Sequence, residues 1–292
     1  YQKLDPRRQA TKARYKSSQN WAVKMRVGSL CSGYGGLEMG LKAAFGEIDL
    51  RFVSDIDKNA STLLAHHHPD IPNLGDLTTV DWEQQDKIDV LTAGYPCQPF
   101  STAGKRKGVE DDRAIFDYIA HAVSVLRPRY VFFENVAGHL TIGATAVIRE
   151  LTRMGYNSRW GIIRASDTGA AHRRERLFIW AFTTDAGGER LQRLRGERKL
   201  AKGQRKNDFN WHNYEPAIRQ WERITGRYAP IPVNKKGIEP LFVEWLMGLP
   251  EGHVTALGLS RSAQLKMLGN GVVPQQAHLA LEILTEGGVH AS

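Results

Sequence analysis

From residue 25 to residue 180, short apolar runs take turns with stretches whose apolar residues recur every three or four positions. The short runs predict strands at 26–30, 50–54, 88–93, 130–134, 158–165 and 176–182, and the longer stretches predict helices at 36–45, 58–67, 114–126 and 144–154. Pro69, Pro128 and Gly155 stand where three of those helices should stop. Strands and helices in alternation imply an α/β fold, a doubly wound, mostly parallel sheet covered by helices on both faces. Past Thr183 the rhythm is lost. Residues 185–239 are rich in Arg, Lys, Gly and Pro, carry Trp211, Tyr214, Trp221 and Tyr228, and predict a small inserted domain. Within it Ile218, Trp221 and Ile224 recur at helical spacing, which favours a packing role for these three. Apolar periodicity returns at 241–249 and 275–284, so residues 240–292 are expected to complete the domain begun by residues 21–184.

A chain of 292 residues, 41% hydrophobic and 24% charged, can bury one large core with a smaller insertion, and this composition excludes wholesale disorder and a fibrous architecture. No apolar run approaches membrane-spanning length, so no membrane partner is expected. The first twenty residues lack the apolar stretch of a secretory signal, which makes the cytoplasm the expected location. Charge changes the picture more. Forty Lys and Arg against 31 Asp and Glu leave a net charge of +9, which favours a polyanionic partner. Residues 1–20 form a basic arm, with Lys3, Arg7, Arg8, Lys12, Arg14 and Lys16 against Asp5 alone, and a second basic run spans residues 190–206. The two cysteines, Cys31 and Cys97, build neither a disulfide framework nor a CxxC metal site, and no metal is expected.

The first predicted strand runs into Ser32, Gly33, Tyr34, Gly35 and Gly36, a turn that lets backbone approach a ligand at the start of the next helix. A nucleoside cofactor suits such a turn, and so does a plain tight connection. A dinucleotide fingerprint would place glycine where Glu38 stands, whereas Asp55 ends the following strand at the distance of a ribose ligand. Asp76, after Gly75, is suited to accept from an adenine amino group or to lie free on the surface. The sharpest feature is Gly94, Tyr95, Pro96, Cys97, Gln98, Pro99, Phe100, Ser101, directly after a buried strand, where open α/β sheets keep their active sites. Flanking prolines give Cys97 a rigid backbone and access to solvent, as a nucleophile needs, while Cys31 is expected to be inert. Glu134 follows another apolar run, where desolvation raises a carboxyl pKa towards neutrality; a capping or ion-paired glutamate is the alternative. Alternation sends Arg174 and Arg176 to one face, to serve the site or as simple ion-pair partners.

In this order the residues resemble the motifs of the DNA cytosine-5 methyltransferases, over about 25–183 and 240–284, leaving out the basic arm and the inserted segment. The resemblance implies the fold of the S-adenosylmethionine-dependent methyltransferases. It implies that Ser32, Gly33, Tyr34, Gly35 and Gly36 bind the methionine part of that cofactor, that Asp55 and Ile56 meet ribose and adenine, and that Asp76 and Leu77 read the adenine edge. Gly94 joins this set, and Asn270, Gly271 and Val272, from the run Gly269 to Gln275, close the pocket. Pro96 and Cys97 match the nucleophile motif, Glu134, Asn135 and Val136 the acidic motif, and Arg174 and Arg176 the arginine motif. Cys31 stands where an aromatic residue is usual, Ile56 where a larger stacking side chain is common, and His172 where glutamine is typical; these departures bear on cofactor affinity and local hydrogen bonding.

The chemistry so implied is attack of Cys97 on C6 of a cytosine rotated out of double-stranded DNA, with Glu134 at N3, Arg176 at O2, and Asn135 and Pro96 steadying the loop. Residues 101–113, with Lys105, Arg106, Lys107 and Arg113, are expected to close on DNA phosphates, residues 185–239 to read sequence, and the arm to add phosphate contacts. One chain suffices for this reaction, so a monomer is expected, and the resemblance admits a cognate restriction endonuclease as partner. Three rivals stay open: an RNA (transfer RNA) cytosine-5 methyltransferase on the same scaffold, a catalytically silent DNA-binding module, and a nicotinamide-dependent oxidoreductase, which Glu38 disfavours.

Overall fold

The computed structural model describes residues 24–96, 113–186 and 209–285. The basic arm at 1–20, the run at 190–206, Cys97 and the loop bearing Lys105, Arg106 and Lys107 lie outside the described residues. Six strands make one sheet: β1 Met25–Leu30, β2 Ile48–Ser54, β3 Val90–Gly94, β4 Tyr130–Val136, β5 Tyr156–Arg164 and β6 Glu175–Thr183. Their order is β2-β1-β3-β4-β6-β5. The first four run parallel, β6 is antiparallel to β4, and β5 is antiparallel to β6, so the mostly parallel sheet holds one reversed strand.

Period-two alternation decides which face each side chain enters. On β4, Val131 and Phe133 join one buried cluster while Tyr130 and Phe132 join the other; on β6, Leu177, Ile179 and Ala181 separate in the same way from Phe178 and Trp180. The first face is covered by Ile119, Val123 and Leu126 of helix α3 (Arg113–Leu126) and by Val147 and Leu151 of α5 (Ala144–Arg153), which follows the single-turn α4 (His139–Ile142). Over the second lie Leu37, Leu41 and Ala44 of α1 (Gly36–Phe45), Leu64 of α2 (Lys58–His67) and Ala277, Ala280 and Leu281 of α9 (Pro274–Thr285). Both faces are therefore wound, and truncating a ring such as Phe132 to alanine would cost roughly 3–5 kcal/mol. The last described helix returns to the first: α9 comes so near α1 that a Cβ on Gly40 would stand 2.6 Å from that of Ala277.

A third buried cluster lies beyond the sheet. It joins Trp211 and Ile218 and Trp221 of α6 (Glu215–Thr225) to Tyr34, Leu63, Ala165, Phe242 and Trp245 of α7 (Pro240–Leu246), and Leu268 of α8 (Arg261–Asn270). The described part of the expected insertion thus shares its core with residues on both sides of it, and its only strands are the short hairpin β7 (Val233–Asn234) and β8 (Gly237–Ile238). Ile218 and Trp221 are buried as their spacing predicts, but Ile224 is 36% exposed, its end lying over Gly169. Strand boundaries move by a residue or two from those expected, and α8 had not been expected, because its ten residues bury little besides Met267 and Leu268. Among the described residues no helix is long and apolar enough to cross a membrane.

Candidate active site

The carboxyl ends of β1 to β4 open into a cavity of about 440 Å³, the position at which parallel α/β sheets receive ligands. The glycine turn forms its wall. Gly33 and Gly35 adopt φ of 56° and 81°, a left-handed backbone that glycine takes without strain, and Cys31 just before them is held at φ 49°. Gly33 donates its N–H to Asp55 Oδ2 at 2.8 Å, while Asp55 Oδ1 accepts from Asp57 N–H at 2.9 Å, so the tip of β2 is tied to the turn. Burial raises Asp55 above the usual carboxylate range even though these two N–H groups pull it down.

The far end of the chain closes the other side. Tyr34 donates its hydroxyl to the Val272 carbonyl at 2.8 Å, across 238 positions of sequence. A Cβ on Gly36 would fall 2.3 Å from that same carbonyl oxygen, and one on Gly271 would fall 1.8 Å from the Tyr34 ring, so both glycines are needed for the approach. Arg174, at φ 31°, donates to the carbonyls of Gly269 and Gly271, and Gln276 donates to those of Ile163 and Arg174, both at 2.7 Å. His172 meets the Leu246 carbonyl at 3.0 Å through Nε2. Lys266 of α8 reaches Asp57, the N-cap of α2, at 3.0 Å, and both residues line the cavity.

Between β4 and β6 lies the chemically loaded end. Glu134 is 7% exposed, and Arg176, whose Cα pairs with Val136 in the antiparallel register, places Nε 2.9 Å from Glu134 Oε1. Burial pushes the Glu134 carboxyl up to about 7, against the opposing pull of Arg176 and Arg174. A buried ion pair with one partner facing an opening loses more by desolvation than it regains by attraction, which leaves a carboxyl that exchanges its proton near neutrality. Asn135 donates Nδ2 to the Tyr95 carbonyl at 3.1 Å, and the Tyr95 hydroxyl meets Nε2 of the buried His139 at 3.1 Å, so the residues leading into Pro96 are braced from β4 and α4. Burial pushes the Cys31 thiol up to about 12, in keeping with an inert cysteine.

Of the residues singled out in the sequence, Ser32, Gly33, Tyr34, Gly36, Asp55, Gly94, Pro96, Glu134, Asn135, Arg176, Asn270, Gly271 and Val272 converge on this cavity. Arg174, whose backbone leaves the extended conformation just before β6 begins, is outside the lining but donates to the carbonyls of Gly269 and Gly271, which line the cavity, and it lies near enough to Glu134 and Tyr34 to act on both, as Arg176 does. Ile56 is 74% exposed and outside the lining. Asp76 is exposed and turned to the Thr78 N–H and hydroxyl, at 2.9 and 2.7 Å, and Leu77 lies in the core beneath the sheet. Arg113 opens α3. Glu38, Asp57 and Lys266 had not been connected with the site. For Glu38 a signal existed: it is a charged residue on the buried, otherwise apolar face of α1.

A family model described as C-5 cytosine-specific DNA methylase matches residues 25–227. The Type II methyltransferase M.NlaX of Neisseria lactamica is 33% identical over 163 residues, which is 54% of this chain and 52% of that protein. The orphan methyltransferase M.Rho11sI of Bacillus phage rho11s is 36% identical over 164 residues, 53% of this chain and 32% of that protein. The chain thus matches about half or less of the length of these curated relatives. The crystal structure of the S. pombe Dnmt2 methyltransferase superposes with a TM-score of 0.63 at 20% identity, over 89% of this chain and 99% of that one, which is a likeness of fold.

Proposed function

The chain belongs to the C-5 cytosine-specific DNA methylases, and we propose that it transfers a methyl group from S-adenosylmethionine to C5 of a cytosine rotated out of double-stranded DNA. The observation that carries this reading is Glu134, held by Arg176 at the mouth of the cavity with its carboxyl near neutrality. The cavity lining also fits the cofactor: Glu38, Asp55, Asp57 and Glu134 outnumber Arg176 and Lys266, which suits a ligand bearing an ammonium and a sulfonium group against one carboxylate. Asp55 would take the ribose hydroxyls, its oxygens having lone pairs beyond the two they give to backbone N–H groups. When bound, S-adenosylmethionine supplies an electrophilic methyl group.

The remaining chemistry belongs to the chain. Cys97 adds as thiolate to C6, and the electron pair displaced onto N3 and O2 is met by a proton from Glu134 and by the Arg176 guanidinium. C5 thereby gains enamine character. After methylation a base, for which water is the candidate, takes the C5 proton; its electron pair forms the C5–C6 double bond, Cys97 leaves as thiolate, and N3 returns its proton to Glu134. Arg174, by gripping the Gly269 and Gly271 carbonyls, keeps the C-terminal rim in place while this occurs. Residues 185–239 would read the DNA sequence, Lys105, Arg106, Lys107 and Arg113 would contact phosphates near the reacting base, and the arm at 1–20 would add further phosphate contacts. A single chain is enough for each of these roles.

Duplex DNA containing 5-fluorocytosine tests the reading, because fluorine at C5 blocks release of the thiol. With S-adenosylmethionine present, the unaltered chain should form a covalent adduct and Cys97→Ser should form none. Equal adduct from both proteins would refute the mechanism. Bisulfite sequencing of plasmid from expressing cells reports the methylated position, and methyl transfer to transfer RNA but not to duplex DNA would move the substrate to RNA.

A further inference from the structure

Glu38 is a buried acid for which the proposed chemistry has no use. It is the third residue of α1, is 6% exposed, and lies on the floor of the cavity beneath the glycine turn. Its Oε1 accepts a hydrogen bond from the Thr92 hydroxyl on β3, and the Ser29 hydroxyl on β1 is a second partner. A Cβ built on Gly35 would stand 3.8 Å from its Oε2, which places that oxygen directly below the turn. Its partners among the described residues are thus these two hydroxyls and its own backbone N–H, with no cation among them. If the side chain served only to stitch β1, α1 and β3 together, a neutral amide would do as well at less desolvation cost. A carboxyl in this place gains most from a cation arriving on the cavity side, and the amino end of α1 favours its ionised form.

The order of the strands places it further. Asp55 directly follows β2, Glu134 lies near the end of β4, and β1 and β3, which hold the hydroxyl partners of Glu38, lie between them. A donor whose ribose sits at Asp55 and whose methyl faces a base at Glu134 must lay its amino-acid part across the middle of the cavity. We infer that Glu38 receives the α-ammonium group of the methyl donor and makes this cavity select a nucleoside that carries the amine over one that lacks it. This rests on the proposed function. Burial raises the carboxyl above its usual range when no cation is present, so the arriving ammonium converts a costly charge into a paired one.

Calorimetry on the full chain with two nucleosides tests it: S-adenosylhomocysteine, and its 4-thiobutanoic acid analogue, which lacks only the amino group. The unaltered chain should bind the first about 10- to 100-fold more tightly, the range of a charge-assisted hydrogen bond. In Glu38→Gln that preference should fall to about threefold or less, with affinity for the analogue unchanged. A brace without contact to the amine would weaken both ligands together, and that result would overturn the inference. So would equal affinity for both nucleosides in the unaltered chain, a measurement that stands whether or not the variant folds. If the unaltered chain bound neither nucleoside, the proposed function would fall and this inference with it; binding without discrimination would remove the inference alone.

Discussion

Glu134 and Glu244 are both nearly sealed from water, at 7% and 0% exposed, yet their surroundings treat them differently. Glu244, on α7, accepts from the backbone N–H groups of Gly252 at 2.7 Å, Val254 at 2.7 Å and Thr255 at 2.9 Å, and from the Thr255 hydroxyl at 3.2 Å, two donors to each oxygen. Glu134, at the end of the sheet, has a guanidinium on one oxygen and a cavity before it. A carboxylate whose lone pairs are filled from one loop fixes that loop. One that is buried but incompletely compensated is left with a proton to exchange. The helical cluster around α7 is therefore read as scaffold and the β4–β6 end as chemistry, although each holds a buried glutamate.

The largest effect should come from Glu134→Gln. The amide can still donate to N3 but cannot deliver a proton, so kcat should fall roughly 10²- to 10⁴-fold, while affinity for S-adenosylhomocysteine stays within about threefold of the unaltered chain. In the proposed mechanism the protonated carboxyl is the active form, so activity should decline as pH rises through about 7 on account of this group, and that limb should vanish in the variant. Stability moves with the same sign. A carboxyl raised from 4.5 to about 7 on folding favours the folded state fully below 4.5 and loses that contribution as pH rises through about 7, so melting at pH 5 and pH 8 should differ less in the variant.

Glu244→Gln should do the reverse. Because both oxygens accept N–H groups, an amide at this position must turn its NH₂ against a donor whichever way it is flipped. A loss of about 2–3 kcal/mol follows, seen as a fall of about 5–10 °C in melting temperature for a domain of this size, with kcat near normal below the transition. If Glu134→Gln lowered the melting temperature as far, or Glu244→Gln lowered kcat as far, the division between scaffold and chemistry would not stand.

What could be read from the amino-acid order follows the same division. The strands were legible because β4 and β6 alternate strictly between two buried faces, and Glu134, Asp55 and Pro96 were legible because each ends an apolar run at the sheet's carboxyl edge. The partners of Glu244 and Glu38 were not, since donors from a loop eight to eleven residues away and from two neighbouring strands meet only in three dimensions. Ile218 and Trp221 show the same limit. Their burial follows from spacing, but nothing local says that they pack on Tyr34 and Trp245 and so share a core with the wall of the cavity. Asp76 marks the opposite case, an acid after a glycine whose Oδ1 takes both Thr78 donors of its own turn and which is absent from the cavity lining.

Asp55 stands between the two kinds and gives the finest test. It lines the cavity as Glu134 does, but its oxygens hold backbone N–H groups, Gly33 and Asp57, as those of Glu244 do. If backbone N–H groups on both oxygens mark a positioning group, Asp55→Asn should disturb binding and spare chemistry: one N–H would keep its acceptor and the other would face an NH₂, loosening the glycine turn proposed to hold the donor. Affinity for S-adenosylhomocysteine should drop about tenfold, KM for the methyl donor should rise in step, and kcat at saturation should stay within about threefold of the unaltered chain. A fall in kcat approaching that of Glu134→Gln would instead mean that the turn and the β4–β6 end act as one unit, and that the strands between them transmit position as well as carry it.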